Sequence, residues 1–435
     1  MLDSDILSRQ GRYLVALSGG ADSVALLLMM VDEGYYVEAV HCNFHLRGSE
    51  SDRDEQFVVE LCARLGVELH RVHFDTLAYA RLHRQSIETA ARDLRYDYFE
   101  RLRCDIGADA IVVAHHRDDN AETVLMNLVR GTGINGMCGI RSVNGRILRP
   151  LLGVSRKDIE AFLARRGQEY VTDSTNLEHD ATRNKFRLEV MPQLSAINPC
   201  AVKNIDTTSR HLREAAKIVA WAVKKLMNDV VECGDDGIDV VNVERLLSTP
   251  SPEYLLNDIC SRYGFTPQQT GVIFRMMKGG TKGRMVSSAT HEIAAEPSRL
   301  LIGRVGNRPK PLLIPMEGLY AYGDGHFRVS VSDFSVSSVA VSKSPSVATL
   351  DASAVTFPLL LRPWRDGDRF HPFGMKGSKL VSDYLTDRKK NYFQRRDQLV
   401  VEDASGEIVW LVGERTSEKS RVGESTEKVV VVSKN

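Results

Sequence analysis

The 435-residue sequence predicts an α/β protein: a doubly wound parallel-sheet domain, then a mainly helical domain, then a small α/β C-terminal domain. Three observations carry this prediction. Apolar strand-like runs alternate with helical periodicity through the first part of the chain. A glycine-rich turn, Ser18-Gly19-Gly20-Ala21-Asp22-Ser23, joins the first strand to the first helix. The polar clusters HCNFHLRG and AHHRDDNAE also follow strands, where the loops of a parallel sheet converge on a ligand.

Taken in order, residues 13–17 form an apolar strand and 24–31 an apolar helix. A second strand covers 36–44. Helical spacing of Phe57, Leu61 and Leu65 marks a helix over 51–65. A third strand (67–74), a long amphipathic helix (86–104), a fourth strand (110–115) and a helix (120–129) follow. Residues 147–150 read as a short edge strand. Ser155 is the N-cap of a helix over 155–166, and 172–179 is a polar loop. The stretch around Asn198-Pro199 closes the first domain, residues 1–205. The second, 206–308, opens with a helix over 207–231 bearing Ile218, Trp221 and Leu226. Shorter helices over 244–247, 252–263 and 267–277 come next, then β-structure over 281–305. Pro309, Pro311 and Pro315 mark a linker with strands, 309–348, including one over 329–341. Strand-like runs at 357–361, 399–402, 408–412 and 428–432 define the last domain, 349–435.

Composition is that of an ordinary globular protein, 43% hydrophobic and 26% charged. No apolar run reaches the roughly 20 residues needed to cross a bilayer, and the first residues lack a signal-peptide pattern, so no membrane association is expected. The seven cysteines are scattered without a C-x-x-C pair, which favours a cytoplasmic location and disfavours zinc or iron–sulfur sites. Net charge is zero, so any nucleic-acid partner must rest on local segregation of charge. Residues 358–396 supply it: ten Lys/Arg against four acids, with Trp364, Phe370, Phe373, Tyr384, Tyr392 and Phe393 interleaved. That mixture suits either phosphate contact with base stacking, or a small domain with an aromatic core and solvated charges.

The glycine turn has the chemistry of an anion cradle. Two glycines allow close approach, backbone N–H groups point outward, and Ser18 and Ser23 add hydroxyls. Asp22 beside a phosphate would repel it unless a cation lies between, which suggests Mg²⁺ with a nucleotide. The alternative is a plain strand-to-helix turn with polar caps. Asp118, Asp119 and Glu122 share a helical face beside His115 and His116, as a Mg²⁺ site or base would need, or as simple first-turn acids. In 86–98, Arg92 and Arg95 either pair along the helix, Glu88 with Arg92, or reach over phosphates. After the second strand, Asn43 could contact a base or ribose and Arg47 a phosphate.

Together, SGGADS, HCNFHLRGSESDRDE, ETAARDLRYDYF, AHHRDDNAETVLMNLVRGTGINGMCGI and RPWRDGDRFHPFGMKGSKLVSDYLTDRK resemble the tRNA(Ile)-lysidine synthetase family of PP-loop ATP pyrophosphatases. The resemblance spans 13–186 and 361–412. It implies a ligase with ATP and Mg²⁺ as cofactors and two further partners, free L-lysine and the isoleucine tRNA with a CAU anticodon. ATP would adenylate carbon 2 of the wobble cytidine, releasing pyrophosphate, and the lysine amine would then displace AMP. By motif, Ser18, Gly19, Gly20, Ala21, Asp22 and Ser23 would bind ATP. Asp22 and Asp119 would hold the metal. Asp22, Asp119, Glu122, Arg92 and Arg95 would form the catalytic set, with Glu122 orienting or deprotonating the amine. Arg183, Lys185 and Arg187 would lie near ATP or RNA, and Arg362, Arg365, Arg369 and Lys379 would face RNA. The chain has His41-Cys42-Asn43-Phe44-His45-Leu46-Arg47 where that family often has His-Val-Asn-His-Gly-Leu-Arg. A PP-loop tRNA thiolase and a non-catalytic ATP-dependent RNA-binding protein are the alternatives; the missing cysteine pairs count against the thiolase. The oligomeric state stays open, a homodimer included.

Overall fold

The computed structural model describes residues 2–172, 182–234, 237–279, 285–306, 310–323, 325–334, 341–342 and 344–434. Contacts divide the chain into two units, 1–221 and 222–435. The expected polar loop at 172–179 falls almost wholly outside the described residues, as do Pro309 and most of the far half of the strand expected over 329–341.

The first unit is the doubly wound sheet. Its elements are β1 (Arg12–Ala16), α1 (Ala21–Asp32), β2 (Tyr36–Asn43), α2 (Ser49–Leu65), β3 (Leu69–His73), α3 (Thr76–His83), α4 (Ile87–Asp105), β4 (Ala110–Val112), α5 (Arg117–Arg130), α6 (Ile134–Met137), β5 (Val143–Asn144), β6 (Ile147–Leu148) and α7 (Arg156–Arg166). The strand order is β3-β2-β1-β4-β6-β5, parallel except for β5. The order reverses between β1 and β4, the point where such sheets open a crevice at their carboxyl ends. Helix α1 is apolar nearly all round, and Val24, Ala25, Leu26, Leu27 and Met30 are fully buried in the largest core. Ser155 caps α7 with a reciprocal bond to Asp158, as the sequence predicts. Helix α3 went unread because it is only eight residues long and its leucines, Leu77 and Leu82, are exposed, so no apolar face marks it.

Past α7 come α8 (Thr182–Lys185), a π-helical turn (Phe186–Val190), α9 (Met191–Ile197) and the long α10 (Ala201–Val230). The first unit runs into α10, beyond residue 205, because buried polar bonds tie the start of that helix to α5. Asn120 Nδ2 donates to Asp206 Oδ1 at 2.9 Å and to Ser209 Oγ at 3.0 Å. Arg213 Nε donates to the Cys138 carbonyl at 2.8 Å.

The second unit begins with β7 (Val231–Cys233), β8 (Asp239–Asn242), α11 (Val243–Leu247), α12 (Pro252–Arg262), α13 (Pro267–Lys278), β9 (Met285–Ser287), β10 (His291–Ala295) and β11 (Arg299–Arg304). The three helices accompany an antiparallel sheet, β7-β8-β11-β10-β9, whose first two strands carried no clear sequence signal. Then follow β12 (Leu312–Ile314), β13 (Gly318–Tyr322), β14 (Gly325–Asp333), β15 (Val347–Asp351), β16 (Leu359–Pro363), β17 (Arg369–Phe370), β18 (Lys379–Leu380), α14 (Val381–Asp387), α15 (Tyr392–Arg396), β19 (Leu399–Glu402), β20 (Ile408–Leu411), β21 (Arg415–Thr416) and β22 (Lys428–Lys434). Sheets β12-β16-β19-β20-β21 and β13-β14-β22-β15 enclose one core around Trp410, Phe327, Leu359 and Val432. The segment expected as a linker is thus part of that core. Pro311 and Pro315 do bound the short β12, but Ile314, Tyr322, Phe327 and Val329 between and beyond them are buried.

A charged clip spans three strands of the first sheet. Glu38 on β2, 2% exposed, accepts from Arg12 Nε on β1 at 2.9 Å and contacts His70 Nε2 on β3 at 2.7 Å. Burial raises its pKa, but the bonds from His70 and Arg12 outweigh it and leave the carboxyl below its ordinary 4.5. A depressed folded pKa means stability present above the unfolded value and lost as pH falls through the folded one. Glu38→Gln is therefore expected to cost about 1–3 kcal/mol at pH 7. In urea titrations the gap between variant and wild type should shrink steadily below pH 4.5. A gap independent of pH would contradict the assignment.

Candidate functional site

The glycine turn is held open by its own side chains. Ser18 and Ser23 hydroxyls lie 3.1 Å apart, and Ser23 Oγ donates to the Gly20 carbonyl at 3.0 Å. Gly19 has φ +92°, and a Cβ there would come within 3.3 Å of Val58, so only glycine fits. Gly20 is the N-cap of α1 and offers no side-chain cap, leaving the first-turn N–H groups for an anion. The turn opens into a cavity of about 300 Å³ at the carboxyl ends of β1 and β4. Ser18, Gly20, Asp22 and Ser23 line it from one side, Arg92, Arg95 and Tyr96 of α4 from another, and His115 and Asp119 from a third. The sequence-predicted cradle, arginines and one acid therefore meet in one place. Each arginine lies over an aromatic ring: Arg92 is 4.9 Å from the Tyr96 centroid, Arg95 5.2 Å from that of Phe44.

Asp22 is only half satisfied by its neighbours. Arg156 Nη1 donates to its Oδ2 at 2.6 Å, while its buried Oδ1 makes no hydrogen bond. Burial pushes its pKa up, despite His116 and Arg156 nearby. His116 Nε2 is 3.6 Å from Asp22 Oδ1 and 3.4 Å from Asp119 Oδ2, so these acids face a common space. The Asp119 amide donates to His116 Nδ1 at 3.4 Å, and the His116 amide to Asp119 Oδ2 at 3.0 Å, a capping box on α5. With Nδ1 turned to the Asp119 amide, Nε2 is the ring nitrogen that faces the acids.

Asp119 and Glu122 are gripped by two arginines from the segment after α7. Arg183 reaches Glu122 Oε2 at 2.9 Å and Asp119 Oδ1 at 3.0 Å. Arg187 reaches Glu122 Oε1 at 2.8 Å and Asp119 Oδ1 at 3.1 Å. Burial alone would raise the Asp119 pKa, yet His116 and Arg183 hold it below the usual range. Arg183 and Arg187, expected near ATP or RNA, are turned inward because two nearly buried carboxylates need counter-charge. Lys185 between them is exposed.

Among the C-terminal residues expected at RNA, Arg362 is misplaced. It is 4% exposed and saturated by Asp368 at 2.8 and 3.0 Å and Glu402 at 2.7 Å, so it braces β16. Lys379 pairs with Asp387 and Arg369 bonds Ser378, whereas Arg365 is exposed. In the loop after β2, Asn43 Nδ2 donates to Glu55 at 2.9 Å and Arg47 pairs with Asp54 at 3.0 Å, so both shape the loop and neither lines the cavity.

Three site residues were missed. Arg156 had no signal beyond its place in a helix start. His116 was noted only beside the acids. Arg149, 6% exposed, lies just past β6, and its position at a strand's carboxyl end was the available hint. Its Nε donates to His115 Nδ1 at 3.1 Å.

A glycine cradle on a parallel sheet, with buried acids and arginines around one cavity, defines a PP-loop ATP-binding enzyme. Two family descriptions match: a PP-loop domain over residues 2–194 and a TilS substrate binding domain over 234–305. The tRNA(Ile)-lysidine synthase of Parabacteroides distasonis is 43% identical, over 98% of this chain and 96% of that protein. The Bacteroides thetaiotaomicron protein of that name is 41% identical over 97% and 94%, and the Bacillus subtilis one 30% over 93% and 90%. This chain belongs to the tRNA(Ile)-lysidine synthase family.

Burial, with Arg149, Arg183 and Arg92 around it, lowers the His115 pKa to about 4 although Asp119 pulls the other way. The imidazole is then neutral in the fold while the unfolded chain takes up a proton below about 6.5, so this residue subtracts stability as pH falls from 6.5 toward 4. NMR titration should show no His115 shift between pH 5.5 and 8. Arg149→Met removes both a charge and the bond to Nδ1, and should raise that pKa.

Proposed function

We propose that this chain ligates L-lysine to carbon 2 of the wobble cytidine in the CAU-anticodon isoleucine tRNA, using ATP. The carrying observation is the single cavity that joins the phosphate turn, Arg92, Arg95 and Asp119, in a chain that aligns over nearly its full length with lysidine synthases. The cytosine O2 attacks the ATP α-phosphorus, the P–O bond to the β-phosphate breaks, and pyrophosphate leaves. The lysine amine then adds at carbon 2 and the C–O bond to AMP breaks. The Gly20-capped start of α1, with Ser18 and Ser23, would bind the leaving pyrophosphate. Arg92 and Arg95 would neutralise charge as it develops.

Mg²⁺ fits Asp22: a buried carboxylate oxygen without a hydrogen bond, on an acid whose pKa is raised by burial, is a ready cation ligand. Asp119, facing the same space, would be the second. The ion would offset phosphate charge when bound. Glu122 would accept a proton from, or orient, the lysine ammonium, which is otherwise charged near neutral pH. Since Arg183 and Arg187 hold the same oxygens, the ammonium competes with guanidinium for them. All seven cysteines are free, and among the described residues no helix is long and apolar enough to cross a membrane, both compatible with work in the cytoplasm.

Purified protein with ATP, Mg²⁺, labelled lysine and the minor isoleucine tRNA should place label in the tRNA. Intact tRNA binding without incorporation would sink the reading. Glu122→Gln is expected to keep ATP binding within about threefold while lowering lysine transfer at least ~100-fold; equal loss of both would make Glu122 structural. Asp22→Asn should leave Tm unchanged or higher, since a strained buried charge is removed, yet abolish the Mg²⁺-dependent part of ATP binding.

A further inference from the structure

In the second unit, α15 lies on the sheet that carries β10 and β11. Phe393 is buried with Ala294 and Leu301, and a Cβ at Gly303 would come within 3.0 Å of its ring. Arg396 pairs with Glu292, and the Tyr392 amide donates to Glu296 Oε1 at 3.2 Å. Beside this joint lies a cavity of about 300 Å³ whose wall is built from both sides: Glu296 and Arg299 from one, Lys389, Lys390, Tyr392 and Arg395 from the other.

Its cations are not equivalent. Arg299 pairs with Glu296 at 2.7 Å, and Lys390 with Glu414 at 2.5 Å. Among the described residues no carboxylate pairs with Lys389 or Arg395, so the cavity carries uncompensated positive charge. The backbone adds an independent observation. Lys389 follows α14 with φ +55°, its amide donating to the Thr386 carbonyl at 2.9 Å. That is the left-handed stop that glycine makes without strain and a lysine makes only under strain. The strained position thus keeps a side chain where none is needed for the turn, and the side chain it keeps is a cation lining the cavity.

We propose that this cavity binds a phosphodiester group of the tRNA backbone, with Lys389 and Arg395 as its cationic ligands and Arg299 alongside. The inference rests on the tRNA-modifying reading above. A seat shared by both sides of the joint makes bound RNA a clamp across it. Contacts of this kind position the RNA and carry no sequence preference.

The test is equilibrium binding of the full chain to the minor isoleucine tRNA across a salt series, for wild type, Lys389→Gly, Arg395→Gln and the double variant. Each single change should weaken binding about three- to tenfold near 0.1 M salt, and the double change more. The slope of log affinity against log salt should flatten by about one per residue removed. In the lysine-incorporation assay the loss should fall on KM for tRNA. Lys389→Gly relieves the strained φ, so its Tm should stay within about 2 °C of wild type, which separates lost binding from lost folding. A double variant with wild-type affinity and slope would overturn the proposal. So would weaker binding with an unchanged slope. If wild type itself failed to modify the tRNA, the functional reading would fall instead, so the two failures are distinguishable.

Discussion

Three carboxylates in a nearly dry crevice, and the cations that make them tolerable, are the constraint on which the rest of the first unit depends. Glu122 is 2% exposed and Asp119 8%, and burial, with Asp119 nearby, raises the pKa of Asp22. Such charges cost several kcal/mol each unless paired. The fold meets the cost with His116 at the cap of α5 itself and with elements distant in sequence: Arg156 from α7, and Arg183 and Arg187 from beyond the first sheet. The topology that opens a crevice at the β1–β4 switch also brings these partners to it. One lone pair, on Asp22 Oδ1, stays unmet. An otherwise satisfied network with a single gap is what a cation ligand requires.

The second unit handles charge differently. Its basic stretch looks uniform in sequence, but packing divides it. Arg362 is consumed by Asp368 and Glu402 inside β16, Lys379 by Asp387, Lys390 by Glu414, and Arg396 by Glu292 at the joint. The aromatics divide likewise: Phe370, Tyr384 and Phe393 are core, while Phe373 is 40% exposed. Both sequence readings of this stretch, a charged surface and a folded core, therefore describe part of it, and the charge left over is what a polyanion could meet.

Local patterns made the first sheet legible. Strands β1 to β4 and helices α1, α2, α4 and α7 follow from apolar runs and helical spacing, and Ser155 from capping chemistry. The glycine turn was legible as an anion site because Gly19 and Gly20 have few other uses in sequence between a strand and a helix. What could not be read was long-range pairing. Arg183 and Arg187 sit in a basic run, and nothing local says that they turn toward acids some 60 residues earlier. Arg156 and Arg149 are ordinary arginines until the sheet places them against Asp22 and His115. Strands β12 to β14 read as a linker because prolines are visible locally, whereas the shared core with Trp410 is not.

The pairing of Arg183 and Arg187 with Asp119 and Glu122 bears on how an amino acid could enter. Two acids and two guanidinium groups make a set with no net charge, so the empty site pays no standing penalty for an unpaired ion. Free lysine brings a side-chain ammonium of its own, besides the α-ammonium and carboxylate that every free amino acid carries. On the proposed reading, its binding exchanges one set of pairs for another: ammonium for guanidinium on Glu122, and carboxylate for acid on an arginine so released. Each charge keeps a partner throughout, which lowers the desolvation cost of entry. An amino acid of similar length with an uncharged side chain would supply the carboxylate and α-ammonium but not the side-chain ammonium, and would leave an acid stripped of its arginine. Discrimination in favour of lysine then comes from the penalty on the wrong ligand as much as from attraction to the right one.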